Sequence, residues 1–271
     1  DRAPNGPGWD VRVVPNKFPL LRIEGELNRH PEGIYQTMQG IGAHEVFIET
    51  PLHNVSLADL ELAQLTRIFQ SYRARLQDLR QDRRFRYLQI YKNHGVEAGA
   101  PVPHSHSQLL AVPITPPAIK TELHASRVYF RENRRCLICD LIAQELADGR
   151  RVVRNDGNFL VVAPYASISP FELRVFPLRH AHDFTLLSDQ ELTCFAAAMR
   201  DTLQRLSALL HDPPYNFFLH TAPPAHPHPN QPDYWATLDS DFHWHLELVP
   251  CLKRIAGFEW GTGFYINPMP P

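Results

Sequence analysis

The sequence predicts an α+β fold made of two tandem copies of one module, each an antiparallel sheet with one long helix. Three observations predict it. The order strand, strand, long helix, strand, strand occurs in the first half of the chain and again in the second. Each half contains one amphipathic run at helical spacing. Each half also carries the same alternating pattern, His104-Ser105-His106-Ser107-Gln108 and His243-Trp244-His245-Leu246-Glu247, followed by an apolar strand that ends at Pro113 or Pro250. Two copies are too few to stack as an array, which argues against a solenoid.

In chain order, Asp10 to Pro15 and Glu45 to Thr50 read as the first two strands. A helix from Leu57 to Gln81 follows, with Leu57, Leu60, Leu65, Ile68, Phe69, Tyr72, Leu76 and Leu79 as its apolar stripe and Ser56 as its N-cap. Phe85 to Lys92 and His106 to Val112 complete the first module around the loop Asn93 to Pro103. Pro113, Pro116 and Pro117 stiffen the start of a bridge from Thr115 to Arg135. In the second module Phe159 to Ala163 and Phe171 to Pro177 read as strands, and Ser188-Asp189-Gln190-Glu191 is a capping box that opens a helix to Leu210. Tyr215 to Thr221 and Phe242 to Val249 close the sheet. Ala222 to Pro229 reads as an exposed proline-rich loop whose His226 and His228 do no chemistry, and Phe258 to Pro271 as a tail that could reach a neighbouring site.

Of 271 residues, 44% are apolar, enough for a real core, and a net charge of −2 gives no reason to expect nucleic acid as a partner. The chain has neither a bilayer-long apolar stretch nor a leader pattern, so a cytoplasmic protein without membrane association is expected. Fifteen histidines against three methionines, many in spaced clusters, favour metal binding or catalysis. Among the four cysteines, Cys136 and Cys139 form a C-x-x-C pair, which reads as half a zinc site or a redox motif. The histidine supply and the lack of a surrounding βαβ pattern favour zinc, with His180 and His243 at repeat-related positions as the other two ligands.

In a strand, alternate residues share a face, so His104, His106 and Gln108 are expected on one face and the two serines on the other. His106 is the best nucleophile or base in the chain. If a backbone carbonyl accepts its Nδ1 proton, Nε2 keeps a free lone pair for attack on phosphorus. Gln108 can donate a hydrogen bond to a phosphoryl oxygen but cannot protonate a departing amine or alkoxide. The leaving group must therefore depart unprotonated, as a sugar phosphate does, and a covalent nucleotidyl-histidine would split one displacement into two. No Gly-rich phosphate loop of known spacing is present, although Asn93, Gly95 and Gly99 precede the histidines and could let backbone amides approach phosphates.

Taken together, these segments resemble the galactose-1-phosphate uridylyltransferase family of the histidine triad superfamily, in its branch with His-Ser-His-Ser-Gln, which includes ADP-glucose phosphorylase. Arg12 to Pro19, His44 to Pro51, Asn93 to Gln108, the C-x-x-C, Pro214 to Asn216 and Gly257 to Pro268 carry the resemblance. It implies two tandem histidine-triad-like domains, a catalytic one at residues 1–118 and one at residues 119–271 with the zinc site and a substrate-contacting tail. It implies a homodimer in which His106 becomes nucleotidylated, Gln108 steadies the phosphoryl group and His104 stands beside them. Asn16, Phe18, Asn93 and Gly99 would surround the nucleotide, and Glu259, Gly261 and Tyr265 would lie near the sugar or the partner subunit's site.

The resemblance also implies a first zinc site in which His53 and His104 join an N-terminal cysteine pair. The chain has no such pair and starts where that segment is expected, so truncation is the expected reason and the two histidines would be a remnant. A different family pattern, a carboxylate with three histidines holding iron or zinc, matches Glu122, His220, His243 and His245. It competes with the cysteine set for His243, and the cysteine set is preferred because thiolates bind zinc tightly and Glu122 falls in the bridge. Pro101 stands where family transferases can have a serine.

The leading expectation is therefore a nucleotidyltransferase of the UDP-glucose:hexose-1-phosphate uridylyltransferase type, exchanging hexose 1-phosphates on a nucleoside diphosphate sugar. The alternative is a phosphorylase that uses inorganic phosphate as acceptor. A non-catalytic nucleotide-binding protein ranks below both, because His104, His106 and Gln108 are all intact.

Overall fold

The computed structural model describes residues 8–227 and 233–271, so His228 lies outside the described residues. The strands are β1 Arg12–Pro15, β2 His30–Glu32, β3 Tyr35–Thr37, β4 Ala43–Ile48, β5 Tyr87–His94, β6 His106–Val112, β7 Val152–Asn155, β8 Phe159–Val162, β9 Leu173–Pro177, β10 Tyr215–His220 and β11 His245–Pro250. The helices are α1 Leu62–Leu79, α2 Pro117–Asn133, α3 Leu137–Asp148, α4 Asp189–Leu210, α5 Leu238–Asp241 and α6 Gly257–Thr262.

Nine strands form one antiparallel sheet in the order β1-β4-β6-β5-β10-β11-β9-β8-β7, and β2 and β3 make a separate ribbon. Outward from the β5–β10 junction, β5-β6-β4-β1 on one side mirrors β10-β11-β9-β8 on the other. The duplicated modules therefore share a continuous sheet, joined where Phe217 of β10 stands opposite Lys92 of β5. Helices α1 and α4 lie side by side on the back of this sheet. Phe69 of α1 meets Phe195 of α4 at 4.7 Å between ring centroids, and Phe195 also touches Phe159, Phe184 and Trp244. One apolar core thus serves both modules.

The front face is treated differently in the two halves. Helix α2 packs Ile119 and Leu123 with Tyr87, and α3 packs Cys136, Ile138 and Ile142 on Leu160, Val162 and Phe176. Helix α3 covers the second module and α2 the junction, at the Tyr87 end of β5, and the front at the other end of β6 is left for a pocket. Among the described residues no helix is long and apolar enough to cross a membrane.

Three readings need correction. The expected helix from Leu57 to Gln81 is broken: Leu57–Asp59 form a 3-10 turn, Leu60 and Glu61 are extended, and α1 starts at Leu62. Ser56 accordingly donates to the Asp59 carboxylate at 2.7 Å and makes no side-chain cap. The bridge from Thr115 to Arg135 is mostly helix α2, because Pro117 sits in the first turn, where a missing N–H costs nothing. His104 and His243 precede their strands, which start at His106 and His245. The capping box at Ser188 is present, with Glu191 N–H donating to Ser188 Oγ and Ser188 N–H to Glu191 Oε2.

Because Phe195 joins both modules at one aromatic cluster, Phe195→Ala should destabilise the chain by about 3–5 kcal/mol while leaving a single transition. Denaturant unfolding followed by near- and far-UV circular dichroism checks this. Two separate transitions in the parent chain would contradict the shared core.

Candidate active site and metal centres

Strand β6 faces two environments. Its even positions His106 and Gln108 look to the front, opposite Ile48 and Val46 of β4, while Ser107 looks to the back opposite Phe47. Under it lies a buried polar cluster. Lys92 Nζ donates to Glu49 Oε2 at 2.6 Å, to Ser105 Oγ at 3.1 Å and to the His106 carbonyl at 2.9 Å. Ser105 Oγ donates to Glu49 at 2.6 Å, and Tyr72 of α1 reaches Ser107 Oγ at 2.5 Å and Glu49 at 3.3 Å. Burial pushes the Tyr72 hydroxyl well above its ordinary pKa, and the Glu49 charge adds to this, so it remains a donor.

On the front, His106 Nδ1–H donates to the carbonyl of His104 at 2.8 Å. Nε2 is left with its lone pair, the arrangement a nucleophilic imidazole needs. A pocket of about 530 Å³ is lined by His106, Gln108, His104, His53, Asn16 and Gly99, with Trp9, Val46, Ile48, Pro51, Pro101 and Val102 as its apolar walls. His104 Nε2 donates to the Thr50 carbonyl at 2.7 Å, and its Nδ1 stands 3.0 Å from His53 Nδ1. Gln108 Oε1 accepts from His44 Nε2 at 2.8 Å and lies 3.4 Å from Asn16 Nδ2.

The loop after β5 is held by Asn216 of β10, which donates to Asn93 Oδ1 at 2.9 Å and to the Ala98 carbonyl at 2.8 Å. Gly99 adopts φ +91°, and a Cβ there would stand 3.3 Å from Asn93 Nδ2, so the loop's tight return to the pocket depends on glycine. Phe18, by contrast, is 78% exposed and outside the pocket lining. Its backbone N–H donates to Asn16 Oδ1. The tail residues are not brought to His106 of the same chain. Glu259 accepts from Ala256 N–H and Lys253, Gly261 lies in α6, and beyond Tyr265 the tail binds Ser167 through Asn267 at 2.8 Å.

Cys136, Cys139, His180 and His243 converge. Cys139 Sγ lies 3.3 Å from His180 Nδ1 and 3.5 Å from His243 Nδ1, and Cys136 Sγ lies 3.9 Å from His243 Nδ1. Ligands at tetrahedral zinc distances stand about 3.3–3.8 Å apart, so the four donors fit one ion. Both imidazoles are oriented for it: His243 Nε2 donates to the Pro177 carbonyl at 3.0 Å and His180 Nε2 to the Asp239 carbonyl at 2.9 Å, turning both Nδ1 lone pairs to the sulfurs. The hydrogen bond from Cys139 holds the Cys136 thiol far below its ordinary pKa, and the cysteines form no disulfide. This cluster can hold a metal ion.

Glu122, His220 and His245 form a second cluster with the donors of a metal site. Glu122 is carried by α2, not by an irregular linker, and its Oε2 meets His220 Nδ1 at 2.8 Å. His245 is buried, which opposes its charge, yet the Glu122 and Glu247 carboxylates outweigh burial and raise its pKa. His243 is not shared between the sets, because its ring faces the cysteines. The counterpart of His106 in the second module is thus closed off by α2 and engaged with carboxylates.

Sequence reasoning missed His44, Lys92, Glu49 and Asn216. Alternation along β4, which places His44 on the face of Val46 and Ile48, was a usable signal for the first. Glu49 and Asn216 fall in segments that carry the resemblance, but no spacing assigns them or Lys92 a role, because their partners are brought together by strand pairing.

The galactose-1-phosphate uridyl transferase N-terminal domain matches residues 9–116, and the C-terminal domain of that name matches residues 122–261. An ADP-glucose phosphorylase from Arabidopsis thaliana is 34% identical over 98% of this chain and 72% of its own length. A galactose-1-phosphate uridylyltransferase from Thermotoga maritima is 29% identical over 97% of this chain and 82% of its own. Among solved structures, an Arabidopsis thaliana ADP-glucose phosphorylase with bound ADP-glucose superposes with a TM-score of 0.86 at 32% identity, covering 98% of this chain and 80% of that one. A uridylyltransferase superposes with a TM-score of 0.88 at 28% identity, covering 98% and 84%. With both halves matched and the histidine pair set at the head of β6, the chain belongs to the galactose-1-phosphate uridyl transferase family and is a nucleotidyltransferase.

Proposed function

We propose that the protein exchanges hexose 1-phosphates on a nucleoside diphosphate sugar, in the manner of UDP-glucose:hexose-1-phosphate uridylyltransferase, through a nucleotidyl-His106 intermediate. What carries the reading is His106, whose Nδ1 proton is committed to the His104 carbonyl and whose Nε2 is free. The bond from Nε2 to the α-phosphorus forms as the bond from that phosphorus to the bridging oxygen breaks, and sugar 1-phosphate leaves with the electron pair. A second sugar phosphate then attacks the nucleotidyl-histidine and regenerates the imidazole. Gln108 steadies the phosphoryl oxygens, and no acid is needed because the leaving phosphate is already a stable anion.

Asn16, Asn93 and Gly99 surround the nucleotide in this reading. Phe18, exposed next to Asn16, lies at its edge, and Glu259, Gly261 and Tyr265 serve the partner subunit's site in a homodimer. The boundary between the two domains falls at residues 118/119, near the start of α2. Zinc occupies the Cys136, Cys139, His180 and His243 cluster, where it supplies a structural cross-link between the head of α3, the turn after β9 and the entry to β11. His53 and His104, whose Nδ1 atoms stand 3.0 Å apart, would contribute two imidazoles to a first metal site. A C-x-x-C pair used as metal ligands suits a reducing compartment, and the reading places the protein in the cytoplasm.

A phosphorylase reaction, with inorganic phosphate taking the nucleotidyl group, is the second reading. The 34% identity to an ADP-glucose phosphorylase favours it, as does Pro101 in the pocket wall, which offers no hydroxyl to a sugar phosphate.

Incubation with a nucleoside diphosphate sugar labelled at the α-phosphorus should leave acid-labile label on the parent protein. His106→Asn should abolish it and lower turnover roughly a thousandfold or more. Transfer at the parent rate by this variant would overturn the reading. A panel of nucleotide sugars crossed with hexose 1-phosphates and inorganic phosphate should yield exchanged nucleotide sugar as the main product; nucleoside diphosphate as the main product would select the phosphorylase. The purified chain should contain zinc that Cys136→Ser with Cys139→Ser removes, lowering the thermal midpoint by roughly 5 °C or more, as about 2 kcal/mol does at this length. An unchanged zinc content and midpoint in that variant would contradict the assignment.

A further inference from the structure

We propose that His44 is a positioning residue for the reaction: it fixes which end of the Gln108 carboxamide faces the phosphoryl group. The inference rests on the nucleotidyl-His106 reading and adds to it the device that aims its hydrogen-bond donor.

The two ends of a carboxamide have nearly the same shape and opposite chemistry. With Nε2 toward the pocket, Gln108 donates to a phosphoryl oxygen. Turned by half a rotation, it presents a carbonyl oxygen to an anion and repels it. Something must choose, and the contacts around His44 do.

His44 is buried on β4, 7% exposed. The backbone N–H of Leu20 donates to His44 Nδ1 at 3.1 Å. A backbone N–H can only donate, so Nδ1 presents its lone pair and the neutral ring carries its proton on Nε2. That nitrogen stands 2.8 Å from Gln108 Oε1, so the oxygen is the atom held on this side. Asn16 adds a second donor. Its Oδ1 accepts from Phe18 N–H at 2.9 Å, which turns its Nδ2 to the His44–Gln108 contact, 3.0 Å from His44 Nε2 and 3.4 Å from Gln108 Oε1; since Nε2 already carries the ring proton, the acceptor open to Asn16 there is the Gln108 oxygen. With two donors on Oε1, the NH₂ end of Gln108 is directed away from them, to the pocket it lines beside His106.

The chain of cause runs from a main-chain N–H through the tautomer of one ring to the polarity of one amide, each step fixed by what the previous group can donate. Neither Leu20 nor His44 touches the reacting atoms. Removing the lock should therefore act on the chemical step rather than on donor affinity, and only while Gln108 is present.

Two isosteric replacements separate positioning from support. Asn at position 44 places an acceptor where Nδ1 was and keeps the Leu20 contact, but has no donor at the Nε2 position. Gln reaches that position with an N–H. Single-turnover formation of nucleotidyl-His106 should be slowed roughly 10- to 100-fold by His44→Asn, part of the loss expected for a full donor to developing charge, with donor Kd within about threefold of the parent. His44→Gln should return the rate to within about fivefold of the parent, and in a Gln108→Ala background His44→Asn should cost less than about twofold. A His44→Asn rate equal to the parent, an undiminished effect without Gln108, or no recovery in His44→Gln would each overturn the proposal. Absence of labelled His106 in the parent protein would instead overturn the proposed function.

Discussion

Strand β6 has to satisfy two environments at once, and the period of two along its backbone is the constraint from which the site follows. On the front it offers His106 and Gln108 to a pocket. On the back it lies over Lys92 and Glu49, 1% and 0% exposed, whose ion pair would be costly to bury without further partners. Ser105 and Tyr72 supply those partners and Ser107 holds Tyr72, which accounts for hydroxyl residues between His104, His106 and Gln108. Lys92 also donates to the carbonyl of His106, so the buried cluster grips the backbone that carries the proposed nucleophile. Substituting either ion alone would leave its partner charged and dry beneath that strand.

Duplication gives the chain two equivalent strand heads with different fates. At His106 the front of the sheet is open and the ring donates from Nδ1 to the carbonyl of His104, leaving Nε2 at the pocket. At His245 the same backbone bond recurs at 3.2 Å, but α2 brings Glu122 onto the ring and Glu247 stands in the place of Gln108. A carboxylate there would repel a phosphate, whereas a carboxamide can bind one. The second module keeps the fold of the first and uses its histidines and cysteines to tie α2 and α3 to the sheet.

Much of this was legible in the sequence because it depends on local rules. Alternation in the two histidine motifs, the capping box at Ser188 and the stripe from Leu65 to Leu79 each follow from neighbours along the chain. The cysteine cluster was legible because thiol and imidazole donors have few other uses at that spacing. What was missed depends on tertiary pairing. Helix α2 was hidden by prolines that read as stiffeners, although one of them starts the helix. The break at Leu60 and Glu61 was hidden by an apolar periodicity that continues across it. His44, Glu49 and Lys92 acquire their roles only when β4, β5 and β6 come together, which no window of sequence contains.

The most direct test is a crystal structure of the His106→Asn protein, or of the parent trapped at low temperature, with a nucleoside diphosphate sugar bound. The account predicts the α-phosphorus about 3–3.5 Å from the position of His106 Nε2, in line with the bridging oxygen, and the Gln108 amide nitrogen within hydrogen-bond distance of a non-bridging oxygen. Phosphates bound away from the head of β6, or the carbonyl end of Gln108 facing them, would contradict it.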